Sequence, residues 1–229
     1  MTNHNVKQLI TLGQTLALYA FIYNPWTKFP YTFLILIVAA FLISYTSSGS
    51  LKELGFRSQL SPGKVLGISL LLFICIEPVL DFIIQPLVNK LTSEIPDYSA
   101  FDSLKGNSQK FSKYLLLTWI SAAFGEEIIF RGFLFRQFNI LIPQIKYKNL
   151  IIILLSSILF SLPHLYLGLG GMIITFIFGL IFSLIYIRYN YNLWIVIIVH
   201  GLVDSLFITL VYFDQLSYYE IANRLLFGY

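Results

Sequence analysis

The sequence predicts an all-α fold: a polytopic transmembrane helix bundle of about seven spans with an intramembrane polar cavity, residues 1–229 forming one integral membrane domain. Three observations carry that expectation. Of the 229 residues, 57% are apolar and 11% charged, where an ordinary soluble domain has about a quarter charged. The apolar residues gather in runs near the roughly 20 residues a helix needs to cross the hydrocarbon of a bilayer. Ionisable side chains recur inside those runs, where each costs about 2.5–3.5 kcal/mol to insert. Lipid is therefore the expected solvent, and something polar is expected within.

The runs follow in order. Gln8 to Tyr23 comes after a start with one lysine, and no small-residue cleavage site precedes Asn24-Pro25, so it reads as a span and not a removable leader. Asn24-Pro25 and Pro30 break the chain before Tyr31 to Tyr45. The polar stretch Thr46 to Pro62 leads to Val65 to Val88, and the polar stretch Thr92 to Lys113 leads to Tyr114 to Phe135. Pro143 to Lys148 separates that run from Asn149 to Leu167; Asn190 to Asn192 divides Gly171 to Ile187 from Leu193 to Phe213. There is no internal repeat of the transporter kind and no low-complexity tract.

With the amino terminus inside, Lys7, Lys52, Arg57, Lys64, Arg136, Lys146, Lys148 and Arg188 fall on the cytoplasmic side, and Lys28, Lys90, Lys105, Lys110, Lys113 and Arg224 on the outer side. The formal charge of +4 suits loops beside anionic headgroups. Nothing here resembles a nucleic-acid surface. The single cysteine, Cys75, excludes a disulfide framework and a multi-thiolate metal site.

Eight ionisable residues lie within the runs: Glu77, Asp81, Glu126, Glu127, Arg131, His164, His200 and Asp204. His4, in the polar terminus, reads as a solvated residue. Glu127 and Arg131 are four apart on one helix face and can pair, while Glu126 is turned away by about 100°. Arg131 would hold Glu127 ionised and fixed, leaving Glu126 as candidate general base. His164 follows Pro163, which removes a backbone donor and kinks the helix. His200 and Asp204 share a face, with Gly201 allowing another helix or a substrate backbone close by. Counted along the helices, Glu126 and His200 fall toward the end marked by Arg136 and Asn192, and the kink must lower His164 to meet them. Glu77 and Asp81, joined by Pro78, form a second acidic pair that could line a wet cavity and is set apart from the catalytic candidates. The bland readings are a buried polar lock for Glu126, Glu127 and Arg131, a satisfied packing residue for His164, mutual pairing for His200 and Asp204, and protonation of one member or pairing with neighbouring helices for Glu77 and Asp81.

Two imidazoles with one or two carboxylates can activate water and stabilise an oxyanion, so hydrolysis is the natural chemistry. In one version Glu126, His164 and His200 hold Zn²⁺. In the other, Glu126 with His164 activates water directly, a metal-free glutamate mechanism, while His200 and Asp204 steady the developing charge. The His-Glu-x-x-His signature of soluble zinc proteases is absent.

Three motifs in order, Glu126-Glu127-x-x-x-Arg131, Phe160-x-x-x-His164 and His200-x-x-x-Asp204, resemble those of the CPBP family, the intramembrane CAAX proteases and bacteriocin-processing or immunity (Abi) proteins. The resemblance spans about 114–213, the expected catalytic core. It implies an intramembrane endopeptidase, with a metalloprotease or a metal-free mechanism, acting on a peptide or membrane-associated protein substrate among membrane lipids. Its implied site residues are Glu126, Glu127, Arg131, His164, His200 and Asp204. The prenyl-protease branch often has Asn where this chain has Asp204, and typically eight spans, so its lipidated substrate does not carry over. The competing expectations are a non-catalytic bacteriocin-immunity membrane protein and a proton-coupled transporter.

Overall fold

A computed structural model of the chain describes residues 3–56, 58–94 and 96–228. Arg57, one of the charges sorted to the cytoplasmic side, and the side chain of His4 lie outside the described residues. Among the described residues the regular structure is entirely helical, with no strand. Helices α1 (Asn3–Phe21) and α2 (Tyr31–Ser48) are followed by α3 (Pro62–Thr92), whose middle, Leu80–Ile84, widens into a π-helical turn. Helix α4 runs over residues 108–141 and is π-wound across Thr118–Glu126 and Ile128–Phe133. Then come α5 (Lys148–Ser161), α6 (Gly168–Arg188), α7 (Leu193–Tyr212) and the short α8 (Tyr218–Phe227).

Each boundary has a local cause. Asn24 Oδ1 accepts from the backbone of Trp26 and Thr27, turning the chain after α1. Gly49, at φ 67°, closes α2 in the left-handed region that glycine tolerates best. Asn107 and Asn192 cap α4 and α7 by accepting from Lys110 N and Trp194 N. Glu94 does this for α6 from a distance, its Oε2 accepting from Leu169 N at 2.8 Å and Gly170 N at 3.3 Å. The loop between α3 and α4, expected as a plain polar connection, thus fastens the far end of α6. Its 3₁₀ turn Ser99–Leu104 also buries Leu104 against Ile208 and Val211 of α7.

Polarity is distributed inside out. Leu16, Leu42, Leu71, Ile74 and Leu116 point outward and are exposed, whereas Ser44, Ser69, Ser121, Ser156, Ser157 and Ser183 are fully buried. Outward leucines are unfavourable against water and favourable against lipid; small hydroxyls between helices permit close approach and bond across it. Ser69 Oγ donates to Ile195 O, Ser121 Oγ to Pro30 O and Ser156 Oγ to Phe130 O, tying α3 to α7, α4 to the start of α2, and α5 to α4.

Four stretches are long and apolar enough to cross a membrane: Tyr31–Ser48, Pro62–Thr92, Lys148–Arg188 and Leu193–Tyr212. The chain is membrane-embedded. The sequence reading separates seven runs, and the difference has two sources. Lys148–Arg188 is two runs that fold back on each other at the 3₁₀ turn Leu162–Leu167, so that a Cβ on Gly179 would lie 3.0 Å from the Ser157 Cα. Helices α1 and α4 do not reach the mark, α4 because it carries Lys110, Lys113, Glu126, Glu127, Arg131 and Arg136. Helix α8 is not foreseen by the sequence reading and is too short to span.

Candidate active site

The three motif-bearing segments meet around one buried arginine. Arg131 Nη1 donates to Glu127 Oε1 at 2.8 Å, and both side chains are fully buried. The same oxygen lies 2.8 Å from His200 Nδ1, which bridges α4 to α7. An N–H must face a carboxylate, so Nδ1 of His200 carries a proton. His200 Nε2 lies 3.4 Å from Asp204 Oδ2 on the next turn. A second arm of Arg131, Nη2, reaches the Gly179 carbonyl of α6 at 3.4 Å.

Phe160 explains the aromatic position of the second motif. Its ring centroid lies 4.2 Å from the Arg131 guanidinium carbon, a cation–π contact sheltered from water, and the Phe182 ring flanks the same group at 5.4 Å. Its carbonyl oxygen is 3.0 Å from His164 Nδ1. A carbonyl only accepts, so Nδ1 of His164 holds the hydrogen and Nε2 of the neutral ring keeps its lone pair. Pro163 lets this happen: α5 ends at Ser161 and the chain turns tightly through Leu162–Leu167, bringing His164 down beside Phe160.

Glu126, His164, His200 and Asp204 all line one cavity of about 600 Å³. Glu127 and Arg131 do not line it; they stand behind its wall and position His200. Glu126, one residue earlier, faces the cavity and makes no side-chain hydrogen bond among the described residues. The adjacent glutamates therefore occupy different environments, as the helical angle between them requires. The cavity also takes in Glu77 and Asp81, and with them Gln85, Tyr98 and Tyr166, which the sequence reading does not single out. Gln85 was findable: Glu77, Asp81 and Gln85 follow a four-residue step on an otherwise apolar run.

The cavity lining extends to the loops that carry Thr27, Lys28 and Phe29, then Tyr98, Ala100 and Phe101, and then Pro163, Tyr166 and Leu167. These loops lie at the end where Gly106 N meets Tyr212 O. Arg136 and Asn192 mark the opposite end, where Arg136 pairs with Glu53 and Leu193 N meets Gly55 O. The cavity thus extends from Glu126 and His200 away from the end marked by Arg136 and Asn192: counting residues along a helix gives depth but not the direction in which a cavity extends. Gly201 does bring an element close, since a Cβ there would sit 2.5 Å from the Trp119 ring. Trp119 Nε1 donates to Ser205 Oγ at 3.0 Å, fixing α4 against α7.

The expected zinc ligands were Glu126, His164 and His200. As placed, they do not offer a metal ion three converging donors; among the described residues no group of three His, Cys, Asp or Glu side chains does. Both ring nitrogens of His200 already face carboxylates.

No curated protein and no solved structure matches the chain. Residues 108–206, from the start of α4 to the middle of α7, match the family model described as Type II CAAX prenyl endopeptidase Rce1-like, and the resemblance carried by the three motifs holds over that stretch.

Proposed function

We propose that the chain is a multi-pass integral membrane endopeptidase whose seven apolar runs surround the cavity, and that it hydrolyses a peptide bond within it. The observation that carries this reading is the convergence of Glu126, His164 and His200, from three distant segments, on one cavity. The match of residues 108–206 to an endopeptidase family supports it.

The side chains can be assigned complementary roles. Water held between Glu126 and the Nε2 lone pair of His164 loses a proton to Glu126 as its oxygen attacks the scissile carbonyl carbon. The carbonyl oxygen becomes an oxyanion. His200, held by Glu127, faces it with Nε2 and stabilises it when that nitrogen is protonated. Asp204, an acceptor at 3.4 Å from Nε2, orients His200; an ionised carboxylate cannot itself donate to an oxyanion. As the carbon–nitrogen bond breaks, Glu126 returns its proton to the leaving amine. Arg131 and Glu127 keep His200 in place without touching substrate.

Glu126→Gln keeps the shape and removes the base. Cleavage of a peptide library by purified protein should fall by about 10²–10⁴-fold, with the thermal melt unchanged within a few degrees. Retained cleavage would overturn the assignment. Because no metal-binding trio assembles among the described residues, cleavage should also survive dialysis against a strong chelator. Loss on chelation with recovery on added Zn²⁺ would instead establish the zinc version of the site.

A further inference from the structure

Beside the motif residues, the cavity has a second set of polar groups that the proposed hydrolysis does not use. Glu77, Asp81 and Gln85 stand at successive four-residue steps on α3, each 4% exposed, and all three line the cavity. We infer that they form a subsite for a cationic side chain, lysine or arginine, of the peptide substrate; the inference rests on the endopeptidase reading and deepens it.

The polar atoms of this α3 wall are incompletely partnered. Glu77 Oε2 and Asp81 Oδ2 receive no donor, and Gln85 Nε2 finds no acceptor, among the described residues. Neighbouring hydroxyls do not complete the set, although Tyr218 reaches Asp81 and Tyr98 reaches Gln85. A buried polar group left without a partner costs about 1–3 kcal/mol, more if charged. Among the motif residues Glu127 Oε2 and Arg131 Nε are also left without a partner, but there a cation, Arg131, and His200 stand against the Glu127 carboxylate. The α3 wall has no such cation: Lys28, on the loop between α1 and α2, is the one lysine or arginine lining the cavity among the described residues.

A substrate lysine or arginine would supply what is missing. Its N–H groups are donors without acceptor capacity, suited to two carboxylates four residues apart on one helix face. Gln85 Nε2 can then donate to a peptide carbonyl of the same ligand. Tyr98, Phe101, Tyr166, Phe207 and Tyr219 also line the cavity and offer aromatic faces to an organic cation. Two carboxylates and one amide are too few for Ca²⁺, which takes six to eight oxygens, and among the described residues no trio for a transition metal assembles. Glu77, Asp204 and His200 line the same cavity, so the bound cation belongs to the peptide held beside the proposed catalytic groups.

The test uses the full chain in lipid nanodiscs and fluorescein-labelled octapeptides of leucine and alanine in which one position is scanned with lysine, arginine, norleucine or glutamate. Binding is read first, by anisotropy, on the Glu126→Gln protein, so that the result does not depend on cleavage. At the best position, lysine or arginine should bind at least tenfold tighter than norleucine, and glutamate weaker still. In the Glu77→Gln/Asp81→Asn protein that ratio should fall to about one. Equal binding of lysine and norleucine peptides at every position would overturn the subsite, as would a preference that survives the double substitution. If the double variant fails to fold, the peptide comparison on the Glu126→Gln protein decides alone. Cleavage by wild type is read separately: a cationic preference in binding without cleavage of any peptide would sink the endopeptidase reading and leave the cation site standing. Cleavage without a cationic preference would do the reverse.

Discussion

Helix α4 supplies the arginine of two arginine–glutamate pairs that differ in almost everything except chemistry. Arg131 and Glu127 meet at 2.8 Å with neither side chain exposed. Arg136 and Glu53 meet at 2.6 Å across two segments, with the glutamate half exposed. Distance alone ranks the second pair as the stronger. Burial reverses that order in consequence, because a charge sealed among Phe160 and Phe182 has no water to turn to if its partner is removed. The outer pair has water on one side and gains little from meeting. The inner pair, moreover, has a third member: Glu127 Oε1 also holds His200, so the pair fixes the direction of a ring that faces the cavity. The first pair is part of a positioning device, and the second fastens a loop to a helix end.

The largest effect should come from breaking the inner pair. Arg131→Met leaves Glu127 buried without its cation, a loss of about 3–5 kcal/mol, visible as a collapse in the yield of folded protein or a large drop in Tm. The double variant Arg131→Met/Glu127→Leu should regain much of that stability, since an apolar replacement of a buried pair is often neutral. It should not regain cleavage, because His200 then has no carboxylate at Nδ1. A double variant restored in both respects would make the pair a structural lock and nothing more.

That inner arrangement was only partly legible in the sequence. The four-residue step of Glu127 and Arg131 announces their pairing, and polar residues in apolar runs announce an interior. The Glu127–His200 contact joins residues 73 apart, and no local pattern encodes which oxygen they share. Phe160 could be noticed as a motif position, but its ring over Arg131 and its carbonyl at His164 depend on where α5 stops. Apolar runs gave the helix positions to within a few residues, because lipid-facing composition is a local property. They could not reveal that α4 is π-wound around Glu126, nor that the loop over residues 93–107 folds back onto α6 and α7, since both depend on packing between distant segments. The direction in which the cavity extends belongs to that second kind of information.

An intermediate effect is expected where α4 presses on α7. A methyl group at Gly201 would meet three ring atoms of Trp119 at 2.5 to 2.6 Å, and Trp119 is tied to Ser205 on the same helix. The ring cannot swing away without losing that bond. Gly201→Ala should therefore cost about 1–3 kcal/mol through overpacking, and, by shifting α7, should lower kcat more than a stability loss of that size explains. A Tm unchanged from wild type would show that α7 can slide, and would weaken the claim that the inner pair needs a rigid frame.

The smallest effect belongs to the outer pair, and its pH dependence distinguishes it from the inner one. Arg136 beside Glu53 holds that carboxyl below its ordinary value of 4.5, chiefly through their hydrogen bond. A carboxyl lowered in the folded state adds stability above its unfolded pKa, and that stability is lost as the pH falls through the folded pKa. Half exposure and salt screening keep the contribution under about 1 kcal/mol. Glu53→Gln should thus lower Tm slightly at neutral pH and low salt. The gap from wild type should shrink with added salt and close as the pH is taken below 4.5. A gap that persists in strong acid or in high salt would mean that Glu53 acts through packing rather than charge, and the contrast between the two pairs would then rest on burial of the whole side chain instead of burial of its charge.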